Sequence, residues 1–161
     1  KGVYLKISPW SVIPISKTII TEELRQQGYR INQKPYITVL PSVKSEVQFD
    51  LPEFNPPHDI SVSKIEYYPD IENPNEVYLD VSDDMIIQLW RDELMGQVPQ
   101  EKIINKPDKM RICLIKNENG DKIDPEVHDN LVNFISNFNV PDTVTGIDLS
   151  EKIPEYVDDN I

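Results

Sequence analysis

Cysteine is almost absent from this chain of 161 residues, which contains Cys113 alone. A lone cysteine excludes an intrachain disulfide framework. Cys113 lies within an apolar run that is typical of a central strand, so we expect a small buried side chain rather than a nucleophile. The redox compartment of the protein stays open.

Long apolar runs are also missing. No stretch approaches the roughly 18 apolar residues of a transmembrane helix, and no signal-peptide pattern opens the sequence. We therefore expect a soluble chain without membrane insertion. Because the first residue is Lys1 rather than methionine, the sequence leaves open whether a leader was removed by processing. The localisation of the protein is therefore also left open.

Alanine does not occur at all, and only five glycines stand beside fourteen prolines. The lack of the best helix former shifts the balance toward strands. Proline shortens helices and favours edge strands, extended connections and turns. The abundance of isoleucine and asparagine is also typical of an AT-rich coding genome.

Basic residues are few. Sixteen Lys and Arg oppose 28 Asp and Glu, which gives a formal net charge of −12. Such a field repels nucleic-acid phosphate and anionic lipid, so direct binding to either is disfavoured. The simplest interpretation is a well-solvated acidic surface. A patch for a basic partner and mimicry of nucleic acid stay open as alternatives.

Alternation of apolar and polar residues predicts strands in the first half of the chain, separated by proline-bearing loops. Within Ile60–Tyr68 the apolar positions change parity, which indicates a bulge near residues 63 and 64 or a strand covered on both faces. Ser16 is a suitable cap for a helix that runs to about Gln27, with Gly28 after it. The predicted strands are Val3–Ser8, Tyr36–Leu40, Val43–Leu51, Ile60–Tyr68 and Glu76–Val81.

A second helix is predicted after the last of these strands. Ser82 or Asp83 can cap it, its span is Asp84–Met95, and Gly96 ends it. Apolar residues recur along this span at helical spacing, and most such stripes belong to the core. The stripe consists of Met85, Ile86, Leu89, Trp90 and Leu94.

The clearest pattern lies in Lys109–Leu149, where a strand, a turn, a capped helix and a second strand follow one another. Asp124 before Pro125 is a good helix start. We predict a right-handed parallel crossover from Arg111–Lys116 to Val144–Leu149. The buried face of the helix is predicted to consist of Val127, Leu131, Phe134, Ile135 and Phe138.

These elements predict an α+β fold, in which a mostly antiparallel sheet packs against two or three helices and the C-terminal strand–helix–strand unit completes the core. We expect residues 1–149 to form a single domain, with 1–81 and 82–149 as an alternative division into subdomains. Residues 150–161 are acidic and contain proline, so we expect a surface tail or an arm that docks on a partner.

Short motifs resemble metal or catalytic signatures but lack their context. Tyr156-Val157-Asp158-Asp159 has the letters of a two-metal polymerase turn, yet it stands at the end of a small acidic chain. His58-Asp59 and His128-Asp129 lack further metal ligands. Ile115–Glu126 matches a calcium loop only in part, since its first position is isoleucine and Pro125 adjoins the last ligand. We predict no metal and no cofactor.

Carboxylates are densest, outside the C-terminal segment, at Asp80, Asp83 and Asp84, with Glu76 nearby. Capping at a strand-to-helix junction explains them best. The alternative is a small hydrolase whose acid–base groups are drawn from the three aspartates or from His128. No nucleotide-binding loop and no nucleophile elbow occurs in the sequence.

Because no convergent catalytic set is present, we expect association with proteins: a non-catalytic structural or adaptor subunit of a larger assembly. Its partner would be another protein or further copies of the chain. The compositional bias favours a viral or phage component. An acidic inhibitor that mimics nucleic acid is a further alternative. Aromatic residues outside helical stripes are the candidate contacts, and these are Trp10, Phe54, Tyr67, Tyr68 and Tyr156.

Overall fold

A seven-stranded sheet forms the centre of the computed structural model, which describes residues 1–69, 75–105, 109–120 and 122–152. Every strand pair in this sheet is antiparallel. Within the described ranges the sheet is accompanied by four α-helices. The predicted α+β class is therefore confirmed.

Strands and helices alternate along the chain in an irregular order. The elements are β1 (Val3–Ile7), α1 (Pro9–Ile19), α2 (Glu22–Gln26), β2 (Tyr29–Ile31), β3 (Tyr36–Leu40), β4 (His58–Tyr68), β5 (Glu76–Val81), α3 (Met85–Met95), β6 (Arg111–Asn117), α4 (Pro125–Ser136) and β7 (Thr143–Ser150). A short 3-10 helix, Gln100–Lys102, follows α3.

The strand order in the sheet is β2-β6-β5-β4-β7-β1-β3. β1 lies between β7 and β3, so the first strand pairs with the last described strand, and strands from both sides of residue 81 are interleaved. α1 and α4 contact each other and pack across β2, β4, β6 and β7, whereas α3 packs against the edge strand β3.

The predicted parallel crossover is wrong. β5 and β4 lie between β6 and β7 in the sheet, and the successive antiparallel pairings make β6 and β7 run in opposite directions. The strand–helix–strand sequence was recognised correctly, but β7 finds its partners in β4 and β1. Sequence order alone does not determine which strands become neighbours.

The first predicted helix is also corrected. α1 begins at Pro9 instead of Ser16, because proline at N1 needs no amide partner and has a helical φ already. The chain is extended at Ile20, and Thr21 then caps the separate helix α2. Gly28 follows α2 with φ of 99°, the left-handed conformation that glycine adopts readily at this position. One predicted helix is therefore two.

The predicted strand Val43–Leu51 is wrong as well. Val43 makes one isolated bridge, to Ile103, and the rest of the segment is irregular. Val47 is nevertheless buried in the core. Burial does not alternate along the segment, since Ser45 and Leu51 are exposed, and Val43 and Val47 are buried from a coil instead of a sheet strand. In β4, by contrast, the predicted bulge is confirmed by a register shift between Val62 and Ile65.

A second bulge occurs in the edge strand β3. Val3 pairs with Leu40 and Tyr4 pairs with Thr38, so Val39 has no counterpart in β1. A bulge leaves backbone groups outside the ladder, and buried carbonyl groups need other donors. The buried side chain of Arg91 on α3 supplies them.

Arg91 donates from Nε to the carbonyl oxygen of Val39 at 2.7 Å and from its Nη2 to the carbonyl oxygen of Thr38 at 2.9 Å. These bonds attach α3 to the sheet edge and prevent the edge from pairing with another strand. They also fix the direction in which the remaining faces of α3 point.

Replacing Arg91 tests this attachment. Arg91→Met keeps an apolar stem but removes the donors, so two carbonyl groups lose their partner, and we expect the free energy of unfolding to fall by about 2 kcal/mol or more. Urea denaturation monitored by circular dichroism measures it. The exposed residue Glu93 on the same helix is the control, since Glu93→Ala should change stability by less than about 0.5 kcal/mol. Equal effects of the two substitutions would contradict the proposed attachment.

Candidate functional site

The carboxylates nominated from the sequence do not form one site. Asp84 caps α3, since its Oδ1 accepts from the amide of Ile87, while its Oδ2 lies 3.0 Å from Nε2 of His58. Asp83 is exposed. Asp80 faces a different set of partners on the sheet. The helix cap is therefore Asp84, one or two residues later than predicted.

Asp80 is 1% exposed on β5, and its Oδ2 accepts from Nζ of Lys109 at 2.7 Å. Its Oδ1 is buried and has no hydrogen-bond partner among the described residues. Burial raises the pKa of the Asp80 carboxyl above its usual value, and the nearby Glu66 carboxylate adds to this, although Lys109 acts in the opposite direction. Asp80 is thus an acid held inside a charged network.

Glu66 shows the opposite behaviour. Its carboxylate lies 2.8 Å from Nζ of Lys64 and accepts from the hydroxyl of Tyr68, and these two hydrogen bonds lower its pKa to about 2. Two neighbouring carboxyls with displaced pKa values are a feature of acid–base sites. Here the more basic one, Asp80, is enclosed, so the pair resembles a structural ion network more than an accessible catalytic pair.

An arginine and two tyrosines continue this polar layer. The guanidinium of Arg111 lies 4.2 Å from the ring centroid of Tyr78 and 4.8 Å from that of Tyr68, and the two rings meet edge to face. The hydroxyl of Tyr78 binds Glu76, which also lies 3.3 Å from Nζ of Lys116. The charged and aromatic side chains of this layer are therefore paired with one another.

The predicted interface aromatics occupy very different positions. Trp10 is 89% exposed at the start of α1. Phe54 packs edge to face on Trp90, and Tyr68 belongs to the polar layer. Tyr67 accepts a hydrogen bond from Tyr29 and donates one to Asn75 inside the fold. Tyr156 lies outside the described residues.

Cys113 and His128 each have partners of their own among the described residues. Burial raises the pKa of the Cys113 thiol to about 12, which keeps it protonated and weakly nucleophilic near neutral pH. His128 contacts Asp129 and the ring of Tyr67. Within the described ranges no three potential metal-ligating side chains come together. Asn117, which would be a ligand in the calcium-loop resemblance, instead donates a hydrogen bond from its side chain to the backbone carbonyl of Gln27.

The predicted apolar stripe of α3 is only half buried. Trp90 and Leu94 lie in the core, together with Ile87 and the attached Arg91. The other three members point away from the core: Met85 is 81% exposed, Leu89 is 63% exposed and Ile86 is 46% exposed. Met85 and Leu89 are four residues apart, so they lie side by side on the outer face of the helix.

α4 shows a smaller version of the same effect. Of its predicted face, Leu131 is buried, Phe134 is 40% exposed, and Val127, Ile135 and Phe138 are partly covered. Val132 beside them is 43% exposed. The helix is therefore amphipathic, as predicted, but the fold covers its apolar face incompletely.

A proline-rich segment, residues 50–58, runs beside α3, and we call it the strap. At one end the backbone of Asp50 exchanges two hydrogen bonds with the side chain of Gln97. In the middle Phe54 packs on Trp90, and at the other end His58 meets Asp84 and Trp90. Three attachment points hold the strap along the helix.

The α3–strap surface, defined by the strap and residues 83–97, carries exposed apolar side chains, which we call its apolar centre, and exposed acids, which we call its acidic rim. The apolar side chains are those of Met85, Ile86, Leu89 and Leu51. The acids are Asp50, Glu53, Asp83, Asp92 and Glu93. None of these five forms an ion pair with another described residue. Arg91, the surface's one Lys or Arg residue, is buried.

Sequence analysis missed this surface although one signal was present. α3 carries apolar residues at seven of eleven positions, Met85, Ile86, Ile87, Leu89, Trp90, Leu94 and Met95. These are more than one face against a sheet can hold. The burial of Arg91, which turns the helix, could not be read from the pattern.

Comparisons of the chain with protein-family models, curated proteins and solved structures gave no match. The fold therefore defines the protein only as an α+β chain built on a seven-stranded antiparallel sheet. Among the described residues, no helix has the length and apolar character needed to span a membrane.

The enclosed Asp80 carboxyl predicts a pH effect on stability. Because its folded pKa lies above the unfolded value, Asp80 favours folding at low pH, and this contribution is lost as pH rises through the folded pKa. Asp80→Asn removes the titration. We expect the stability of the variant to improve relative to the wild type from about pH 4 to about pH 7, as measured by urea denaturation across that range.

Asp83→Asn provides the matched control, since Asp83 is an exposed aspartate that lies outside the network of Asp80, Glu66 and Lys109. If the difference in stability between Asp80→Asn and the wild type stays constant over the pH range, the claim that Asp80 is an enclosed acid with a raised pKa is contradicted.

Proposed function

We propose that the protein is a non-catalytic structural or adaptor subunit that binds another protein through the α3–strap surface. The observation that carries this proposal is the outward position of Met85, Ile86 and Leu89. Contiguous apolar side chains on a rigid element, surrounded by polar residues, are typical of protein interaction sites. A viral or phage origin of the assembly remains an expectation from composition.

Rigidity supports the proposal. α3 is attached to the sheet edge by Arg91, capped by Asp84 and flanked by the strap through Phe54. A surface that is already ordered loses little conformational entropy on binding. The helix positions from which Met85 and Leu89 project are therefore held in place, as an interface anchor requires.

The alternatives have less support. A carboxylate-based hydrolase needs acid and base groups that converge on a substrate, whereas Asp80 and Asp84 have separate partners and Asp83 is exposed. Mimicry of nucleic acid predicts a face made of acidic side chains, whereas the exposed acids of α3 accompany the exposed apolar side chains of Met85 and Leu89. Both alternatives stay untested predictions.

Leu89→Gln tests the proposed interface. The substitution replaces an exposed apolar side chain, so it should leave the fold unchanged within about 0.5 kcal/mol. Loss of an apolar anchor typically weakens binding by more than 1 kcal/mol, about tenfold or more in affinity. Quantitative affinity capture from the cells that produce the chain, with tagged wild type and variant compared, measures retention of the partner.

Val132→Gln on α4 is the matched control, because Val132 is also exposed and apolar but lies on a different helix. The proposal expects a partner retained by the wild type and by Val132→Gln, and lost by Leu89→Gln. A partner retained equally by all three chains would show that association does not use α3.

A further inference from the structure

We infer that the α3–strap surface takes one chemical class of partner: an amphipathic protein segment whose apolar face is flanked by lysine or arginine. This inference rests on the proposed function and specifies the partner of the same surface. It stands on three features of the described residues, namely the apolar centre, the unpaired acidic rim and the absence of an exposed basic side chain.

The acidic rim is local and not merely a sample of the net charge. The chain has 16 basic residues, yet Arg91 is the single one within residues 50–58 and 83–97, and it is buried against the carbonyl groups of β3. Elsewhere the basic side chains commonly neutralise acids, as in the pairs Lys64–Glu66 and Lys102–Glu46. Among the described residues, no basic side chain forms an ion pair with an acid of this rim.

The exposed acids of the rim are accessible to basic side chains of a partner, whereas buried acids are not. Asp92 and Glu93 are exposed on α3 next to the apolar centre. Gln88 donates to Asp92 at 2.9 Å, which positions that carboxylate without neutralising it. A partner with Lys or Arg at its rim would gain charge complementarity there, which directs association and excludes wrong partners.

A second copy of the chain does not fit this surface. Two copies that met through α3 would place the acids of one rim opposite the same acids of the other, since a twofold interface is made of identical patches. Like charges that face each other across an interface cost several kcal/mol. A net charge of −12 on each copy adds to the repulsion. The apolar centre therefore calls for a partner of opposite charge.

The test uses two synthetic helical peptides that share the same leucine face. One carries lysines at the flanking positions and the other carries glutamates. Fluorescence anisotropy with the full chain gives the dissociation constant of each peptide. We expect the lysine peptide to bind at least about tenfold more tightly than the glutamate peptide. We also expect the affinity of the lysine peptide to decrease when the salt concentration is raised from about 0.05 M to about 0.5 M.

Two substituted chains separate the apolar centre from the rim. Leu89→Gln removes an apolar contact and keeps the charge, and it should weaken the lysine peptide about tenfold. The double variant Asp92→Asn with Glu93→Gln keeps the apolar centre, and it should weaken the lysine peptide several-fold and reduce its salt dependence. Val132→Gln should leave both unchanged.

Each alternative result has a definite meaning. Equal affinity for the lysine and glutamate peptides, with both weakened by Leu89→Gln, overturns the partner chemistry but leaves the association proposal standing. A lysine peptide that binds Leu89→Gln as tightly as the wild type overturns the inference, because the charge alone then accounts for binding. The proposed function is tested separately. It is contradicted if capture of the partner from cells does not depend on Leu89.

Discussion

The hydrogen bonds from Arg91 to the bulge of β3 determine what this protein shows to its surroundings. β3 is an edge strand whose bulge leaves Val39 without a counterpart in β1, and its carbonyl groups at Thr38 and Val39 accept hydrogen bonds from α3. A buried guanidinium with several donors satisfies more than one of them. Since Arg91 must face the sheet edge, the opposite side of α3, with Met85 and Leu89, must face outward.

This constraint explains an otherwise costly surface. Exposed apolar side chains forgo the roughly 25 cal/mol per Å² that burial would contribute. The fold instead uses the polar contact at β3, and the apolar side of α3 is left for a partner. The same logic does not extend to Asp80, whose carboxyl is enclosed beneath Lys109 and is not presented to solvent as a reactive group.

Local chemistry made some elements predictable from the sequence. Period-two alternation located β1, β3, β4 and β5, a parity change located the bulge in β4, and Asp124 before Pro125 located the start of α4. Each of these signals depends on residues close together in the chain. The pattern around Lys109–Leu149 likewise identified a strand, a helix and a strand correctly.

Long-range contacts account for three of the errors, whereas the start of α1 at Pro9 depends on a local signal. The pairing of β7 with β4 and β1 removed the expected crossover, and the packing of residues 43–51 against the core replaced a strand by a coil. The most consequential error concerned α3, whose predicted stripe of Met85, Ile86, Leu89, Trp90 and Leu94 was expected to belong to the core. Only the tertiary contact of Arg91 with β3 separates Trp90 and Leu94, which are buried, from Met85 and Leu89, which are not.

Site-specific photocrosslinking tests the central claim most directly. A photoreactive amino acid is placed at position 89 on α3 or, as a comparison, at position 132 on α4, and the chain is irradiated in the cells that produce it. The account predicts a discrete adduct from position 89, at a partner segment rich in lysine or arginine, and none from position 132. No adduct from position 89, or the same adducts from both positions, would contradict it.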